Sequence, residues 1–155
     1  MTKDEMKKVV CQAIDEATEK IHETVLRIES EPELGYKETK TAAKVESYMK
    51  ELGLTPQTGL ALTGVKTCVD GGKKGPAVAV LAELDAVGTP DSPKADPLTG
   101  AAHTCGHFLQ MASMLAACTG IVKSDVMKDL AGSAVFFAVP AEEYVEIDYR
   151  KRLVK

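Results

Sequence analysis

Ser133-Ala134-Val135-Phe136-Phe137-Ala138-Val139, running into Pro140-Ala141-Glu142-Glu143, is the stretch from which the rest of the chain can be read. A short apolar run rich in β-branched and aromatic residues predicts a buried strand, and Pro140 closes it. Two adjacent carboxylates then come almost at once. Paired glutamates usually mean a solvated surface. At the end of a buried strand they are better placed for chemistry, because open α/β sheets carry their sites at the carboxyl ends of strands.

Working outward, Gly64-Val65-Lys66-Thr67-Cys68-Val69 alternates as a half-buried strand should. Asp70-Gly71-Gly72-Lys73-Lys74-Gly75 has turn chemistry, and Ala77-Val78-Ala79-Val80-Leu81-Ala82 is continuously apolar. Together these predict a hairpin whose second strand is central in a sheet. Upstream, Thr2 and Glu5 form a capping-box signature. The apolar spacing from Met6 through Ile14, Ile21 and Leu26 then predicts one long amphipathic helix to about Glu29, stopped at Ser30-Glu31-Pro32. A second helix is expected from Glu38 to Leu52, with Gly53 as its cap. Asp85 to Ala102 reads as a loop, Phe108 to Thr119 as a buried helix ending at Gly120, and Asp125 to Leu130 as a short helical segment. The order predicts an α/β fold with helices packed on a mixed, mostly buried sheet.

The composition is that of an ordinary globular protein, 45% apolar and 27% charged, and 155 residues fit one domain. A formal net charge of -4 argues against a nucleic-acid partner. No apolar run is long enough to span a bilayer, and the amino terminus lacks the apolar core of a signal peptide, so no membrane partner and a cytoplasmic location are expected. The four cysteines (Cys11, Cys68, Cys105 and Cys118) are too scattered for a disulfide framework.

His103-Thr104-Cys105-Gly106-His107 is the second chemical signal. Imidazole, thiolate and carboxylate are ligands favoured by zinc and its neighbours, and a glycine between two of them lets both turn to one point. Cys105 and His107 also admit a plainer reading, a packed thiol and a hydrogen-bonded imidazole at a helix start. The nearby Glu142-Glu143 pair favours metal, with one carboxylate on the ion and the other on water. Asp85, ending Leu81-Ala82-Glu83-Leu84-Asp85, is a ligand, a carboxylate that orients a ligand, or a helix cap. His103 is read as lining the site and His22 as solvated. A thiol enzyme with Cys105 as nucleophile would leave the glutamates idle.

Four stretches resemble the dinuclear-metal aminoacylase and peptidase family, in the branch of indole-acetyl-amino-acid and aminobenzoyl-glutamate hydrolases. They are Glu31-Pro32-Glu33-Leu34-Gly35 with Glu38-Thr39-Lys40-Thr41, Val78 to Val87, His103 to His107, and Val139-Pro140-Ala141-Glu142-Glu143. The resemblance implies a zinc-peptidase-like catalytic domain, here incomplete, with Cys105, His107 and Glu143 as metal ligands and Glu142 as general base toward a metal-bound water. It implies divalent metal, zinc or manganese, two ions per complete site, and cleavage of amide bonds in N-acyl amino acids or small peptides. Family members are more than twice as long, with an inserted dimerisation or lid domain and further histidine ligands. Residues 1–155 would thus be an amino-terminal portion of the catalytic domain, weakly active or inactive. Where the branch usually has Asp or Asn after Cys-Gly-His, this chain has Phe108. That departure, with the missing histidines, supports the alternative of a non-catalytic metal-binding or interaction module. A sheet edge left open would invite pairing with another chain, hence an expected homo-oligomer.

Overall fold

The computed structural model describes residues 1–143 and 146–153. Helices α1 (Lys3–Asp15), α2 (Thr18–Glu29) and α3 (Thr39–Glu51) precede strands β1 (Gln57–Leu60), β2 (Gly64–Asp70) and β3 (Lys73–Glu83). A small pair, β4 (Val87–Gly88) and β5 (Ala101–Ala102), ties together the ends of the next loop; then come α4 (His107–Ser124), a 3-10 turn (Val126–Asp129), β6 (Ala131–Val139) and α5 (Ile147–Leu153). The fold is the expected one, helices packed on a mixed sheet. No helix among the described residues is long and apolar enough to cross a membrane.

The sheet corrects the expected hairpin. Its order is β1-β2-β6-β3, so β2 and β3 are consecutive in sequence but are not neighbours. Strand β6 lies between them, antiparallel to β2 and parallel to β3. The glycine turn after β2 does not fold the chain back on itself. The Gly71 N–H donates to the carbonyl of Gly132 at 2.7 Å and the Gly72 N–H to that of Met127 at 3.1 Å, so the turn wraps the start of β6. A parallel pair needs a crossover, and α4 supplies it between β3 and β6. The apolar run of β3 suits a strand inside a parallel sheet. Within this chain, however, β3 is the edge, with Val78 64% and Leu81 59% exposed.

The long first helix is also corrected. Ala17 leaves helical geometry (φ -102°, ψ 1°), separating α1 from α2. The Ile14 carbonyl accepts from the Ala17 N–H at 3.0 Å and from the Thr18 hydroxyl at 3.2 Å, a local alternative to the regular helical ladder. The break lets both segments pack on α4. Gly120, expected to end α4, instead lies inside it. A side chain there would meet Val10 and Ile14 of α1 at 2.9 Å, so glycine is what permits the two helices to cross closely.

The core lies between helices and sheet. Ile28, Val45, Met49, Met111, Met114, Leu115 and Phe136 are all buried, with Val65, Ala82 and Ala138 from the sheet beneath them. Truncating Phe136, the largest of the fully buried side chains, removes contacts from every layer. Phe136→Ala is expected to cost about 3–5 kcal/mol of unfolding free energy, read from urea denaturation midpoints. A loss under about 1 kcal/mol would contradict this packing.

Candidate metal centre

Parallel pairing aligns the carboxyl ends of β3 and β6. Glu83 is registered with Val139, and the Leu84 N–H donates to the Val139 carbonyl at 2.9 Å. The chain leaving β3 therefore carries Glu83 and Asp85, two apart on extended backbone and so directed to one side, toward the Glu142-Glu143 loop leaving β6. The third contribution arrives from α4. Gly106 takes a left-handed conformation (φ 96°) with open space around it, and this turn makes His107 the first residue of the helix.

His107 is the hub, 2% exposed. Its Nδ1 lies 2.9 Å from the Asp85 main-chain carbonyl. A carbonyl oxygen can only accept, so this bond puts the proton on Nδ1 and leaves the Nε2 lone pair facing the site. Around Nε2 stand Glu83 Oε2 at 2.9 Å, Glu143 Oε1 at 3.5 Å and Glu142 Oε2 at 3.9 Å. A lone pair surrounded by carboxylate oxygens is repulsive unless a cation or a proton lies between them. Cys105 Sγ joins this group: the ligand atoms of Cys105, His107 and Glu143 all lie within 4.8 Å of one another, as do those of Glu83, His107 and Glu142. Ligand atoms of one zinc-like ion stand roughly 3–4 Å apart, so the set fits such an ion. Both triplets use His107. One nitrogen lone pair serves one ion, so these are alternative descriptions of one candidate position.

Asp85 contacts both His107 and the Glu142-Glu143 loop. It is 1% exposed, and its Oδ2 accepts the Glu143 N–H at 3.2 Å. Its Oδ1 is 3.3 Å from His107 Nδ1 but makes no hydrogen bond among the described residues, because the ring N–H is directed to the carbonyl. The carbonyl contact fixes the imidazole, a common arrangement behind a metal-binding histidine. His103 sits beside the cluster. Its ring packs on Phe108 with centroids 5.6 Å apart, and both ring nitrogens are buried without hydrogen-bond partners among the described residues. Burial first, then the neighbouring His107, push its pKa down.

Cys105 is exposed, and its pKa is pushed up to about 11, first by the hydrogen bond with Glu143, then by slight burial and the charges of Glu143, Glu142 and Glu83. A thiol among carboxylates stays protonated and is a poor nucleophile, which counts against the thiol-enzyme reading. A cation reverses that balance.

Two acidic residues escaped the sequence reading. Glu83 was visible only as part of an apolar strand, although its two-residue spacing from Asp85 marked a shared side. Glu38 reads only as a helix start and as part of the opening segment of the resemblance, with no role assigned to it. It is 0% exposed, with Oε2 accepting from the Thr63 hydroxyl at 2.7 Å and Oε1 from the Ala141 N–H at 2.9 Å.

No family model matches the chain. Relatives do. YhaA of Bacillus subtilis, described as an amidohydrolase, is 32% identical over 142 residues, covering 90% of this chain and 35% of its own. Thermostable carboxypeptidase 2 of Saccharolobus solfataricus is 34% identical over 122 residues, 76% of this chain and 30% of its own. IAA-amino acid hydrolase ILR1-like 4 of Arabidopsis thaliana is 31% identical over 120 residues, 76% of this chain and 27% of its own. Among solved structures, the dinuclear metal binding peptidase YXEP of Bacillus subtilis, of family M20, superposes with a TM-score of 0.69 at 26% identity, covering 80% of this chain and 35% of that one. A protein of Staphylococcus aureus gives 0.73 at 26% identity, with 88% and 35% covered. The chain spans about a third of the length of the relatives it matches. The resemblance read from the motifs is borne out.

Glu38 gives a pH signature. Burial outweighs its hydrogen bonds and raises its pKa. A carboxyl with a raised folded pKa contributes stability that is fully present below the unfolded value and lost as pH rises through the folded one. Glu38→Gln keeps an acceptor for Ala141 and carries no charge. From acidic to neutral pH, the difference in unfolding free energy between variant and wild type should move in the variant's favour. A difference independent of pH would sink this account.

Proposed function

We propose, for a chain related to the dinuclear-metal amidohydrolases and peptidases of family M20, that it carries the metal-binding and proton-transfer part of a hydrolase acting on amide bonds. It would correspond to an amino-terminal portion of the catalytic domain of such proteins. The observation that carries this reading is the His107 Nε2 lone pair, directed by Asp85 into a ring of acidic side chains and the Cys105 thiol.

Cys105, His107 and Glu143 would hold the ion, with Glu83 also close to His107 Nε2. A divalent ion, zinc or manganese, would polarise the scissile carbonyl and make water acidic enough to be deprotonated near neutral pH. Glu142 is the carboxylate suited to move protons. Its side chain is 51% exposed against 25% for Glu143, so it faces the space a substrate would enter. As general base it takes the proton of the attacking water and passes it to the leaving amine. Substrates of the N-acyl amino acid or small-peptide class accord with the names of the relatives. A second ion would need ligands from beyond the described residues.

The non-catalytic alternative rests on Phe108, whose ring packs on His103 where the family branch usually has a polar residue. The open edge of β3 supports the expected self-association.

Two measurements decide. Equilibrium titration of the chain with zinc or cobalt should show one tight site, weakened at least about tenfold in His107→Ala and in Cys105→Ala. Undiminished binding in both variants would refute the ligand assignment. In a form of the protein that hydrolyses N-acyl amino acids, Glu142→Gln should lower kcat by about 100-fold or more while leaving bound metal unchanged. Retained turnover would remove Glu142 from the proton-transfer role.

A further inference from the structure

The segment between α2 and α3 contributes none of the residues proposed to hold the ion, yet it is attached to both halves of the site. At one end, the Ala86 N–H donates to the Glu33 carbonyl at 2.8 Å, and Leu34 forms a parallel bridge to Ala86, next to Asp85. At the other, Glu38 reaches the Ala141 N–H, next to Glu142, across 103 residues of sequence. Between these, Gly35 lies against the same loop. A side chain on Gly35 would meet the Ala141 Cβ at 3.0 Å and the Glu146 Cγ at 3.2 Å. The Glu33 side chain anchors the segment from behind. It accepts from the Thr41 N–H at 2.8 Å, the Thr41 hydroxyl at 3.0 Å and the Lys40 N–H at 3.2 Å, capping the exposed start of α3.

The loop needs this support. Ala141 has φ 50°, a left-handed conformation that costs a non-glycine residue roughly 1 kcal/mol or more and persists only where surroundings enforce it. That conformation aims consecutive side chains, Glu142 and Glu143, into the site. Two buried carboxylates hold the loop by its backbone, Glu38 at Ala141 and Asp85 at Glu143. Asp85 belongs to the site. Glu38 comes from outside it, and the cost of burying its carboxylate is offset by two partners, the Thr63 hydroxyl and the Ala141 N–H, of which Ala141 is the one in the loop.

We infer that Glu38 is a positioning residue: by holding the Ala141 N–H, with Gly35 leaving room for the loop, it sets the direction of the Glu142-Glu143 pair. This rests on the proposed metal site for its consequence and not for its geometry, so the test reads both. In the metal-free 155-residue chain, hydrogen exchange at the Ala141 and Glu143 amides is compared among wild type, Glu38→Met and Glu38→Gln. Methionine fills the space and offers no acceptor; glutamine keeps one oxygen for Ala141 and can donate to Thr63. Exchange at both amides should quicken roughly tenfold in Glu38→Met, be restored in Glu38→Gln, and leave the Val45 and Met49 amides of α3 unchanged.

Cobalt titration, monitored by thiolate-to-metal absorption from Cys105, should show roughly tenfold weaker binding in Glu38→Met and near wild-type binding in Glu38→Gln. Unchanged exchange at Ala141 and Glu143 in a folded Glu38→Met would overturn the inference, as would failure of glutamine to restore it. If Glu38→Met does not fold, Gly35→Ala takes its place. It should quicken Glu143 exchange by displacing the loop, and wild-type exchange there overturns the inference equally. Should the wild type take up no cobalt, the metal reading falls, while the amide measurements still decide the role of Glu38.

Discussion

The parallel pairing of β3 with β6 is the constraint on which everything else rests. It sets Glu83 beside Val139, so two strand ends that would otherwise be unrelated deliver their acidic residues to the same place. It also obliges the chain to cross over the sheet, and α4, which makes that crossing, starts at His107. Strand ends and helix start thus meet because of one register. A shift of β6 by a single residue would turn its side chains to the opposite face and carry Phe136 out of the core. Core packing and site geometry are therefore selected together.

The electrostatic result of that convergence is an imbalance of charge. Four carboxylates, Glu83, Asp85, Glu142 and Glu143, approach one imidazole, and a thiol is held in its neutral form among them. Such a cluster opposes folding through like-charge repulsion and favours a bound cation for the same reason. The Asp85 oxygen left without a hydrogen-bond partner among the described residues is the buried trace of that imbalance. Asp85 also shows how one residue can serve two elements, its carbonyl on the His107 ring and its carboxylate on the Glu143 backbone.

The site was more legible in the sequence than the topology. Cys105, His107, Glu142 and Glu143 carry their meaning in residue type and short spacing, and a glycine between two ligands is informative wherever it lies. The fold class was legible for similar reasons, since the period of apolar residues changes from helix to strand at β2. Strand order was not. A glycine-rich turn between two β-type runs is the local signature of a hairpin, and only the later β6, by inserting, overrides it. The kink at Ala17 escaped because no breaker residue marks it; a hydroxyl bond from Thr18 accompanies the break. Gly120 misled in the opposite sense, since a glycine required for helix crossing looks like one required for a cap. The role of Glu38, though the residue itself stood in a quoted stretch, was not legible because its partners lie 25 and 103 residues away.

The insertion of β6 also sets an order of events during synthesis. Glu38, Asp85 and His107 have all been made before the strand that completes their surroundings. Until β6 arrives, β2 and β3 have no common neighbour, and both buried carboxylates lack the backbone amides they will hold. Contacts of such long sequence separation form slowly. The growing polypeptide therefore lacks the centre of its sheet, and its carboxylates stay hydrated rather than bonded to the loop, until β6 and that loop emerge.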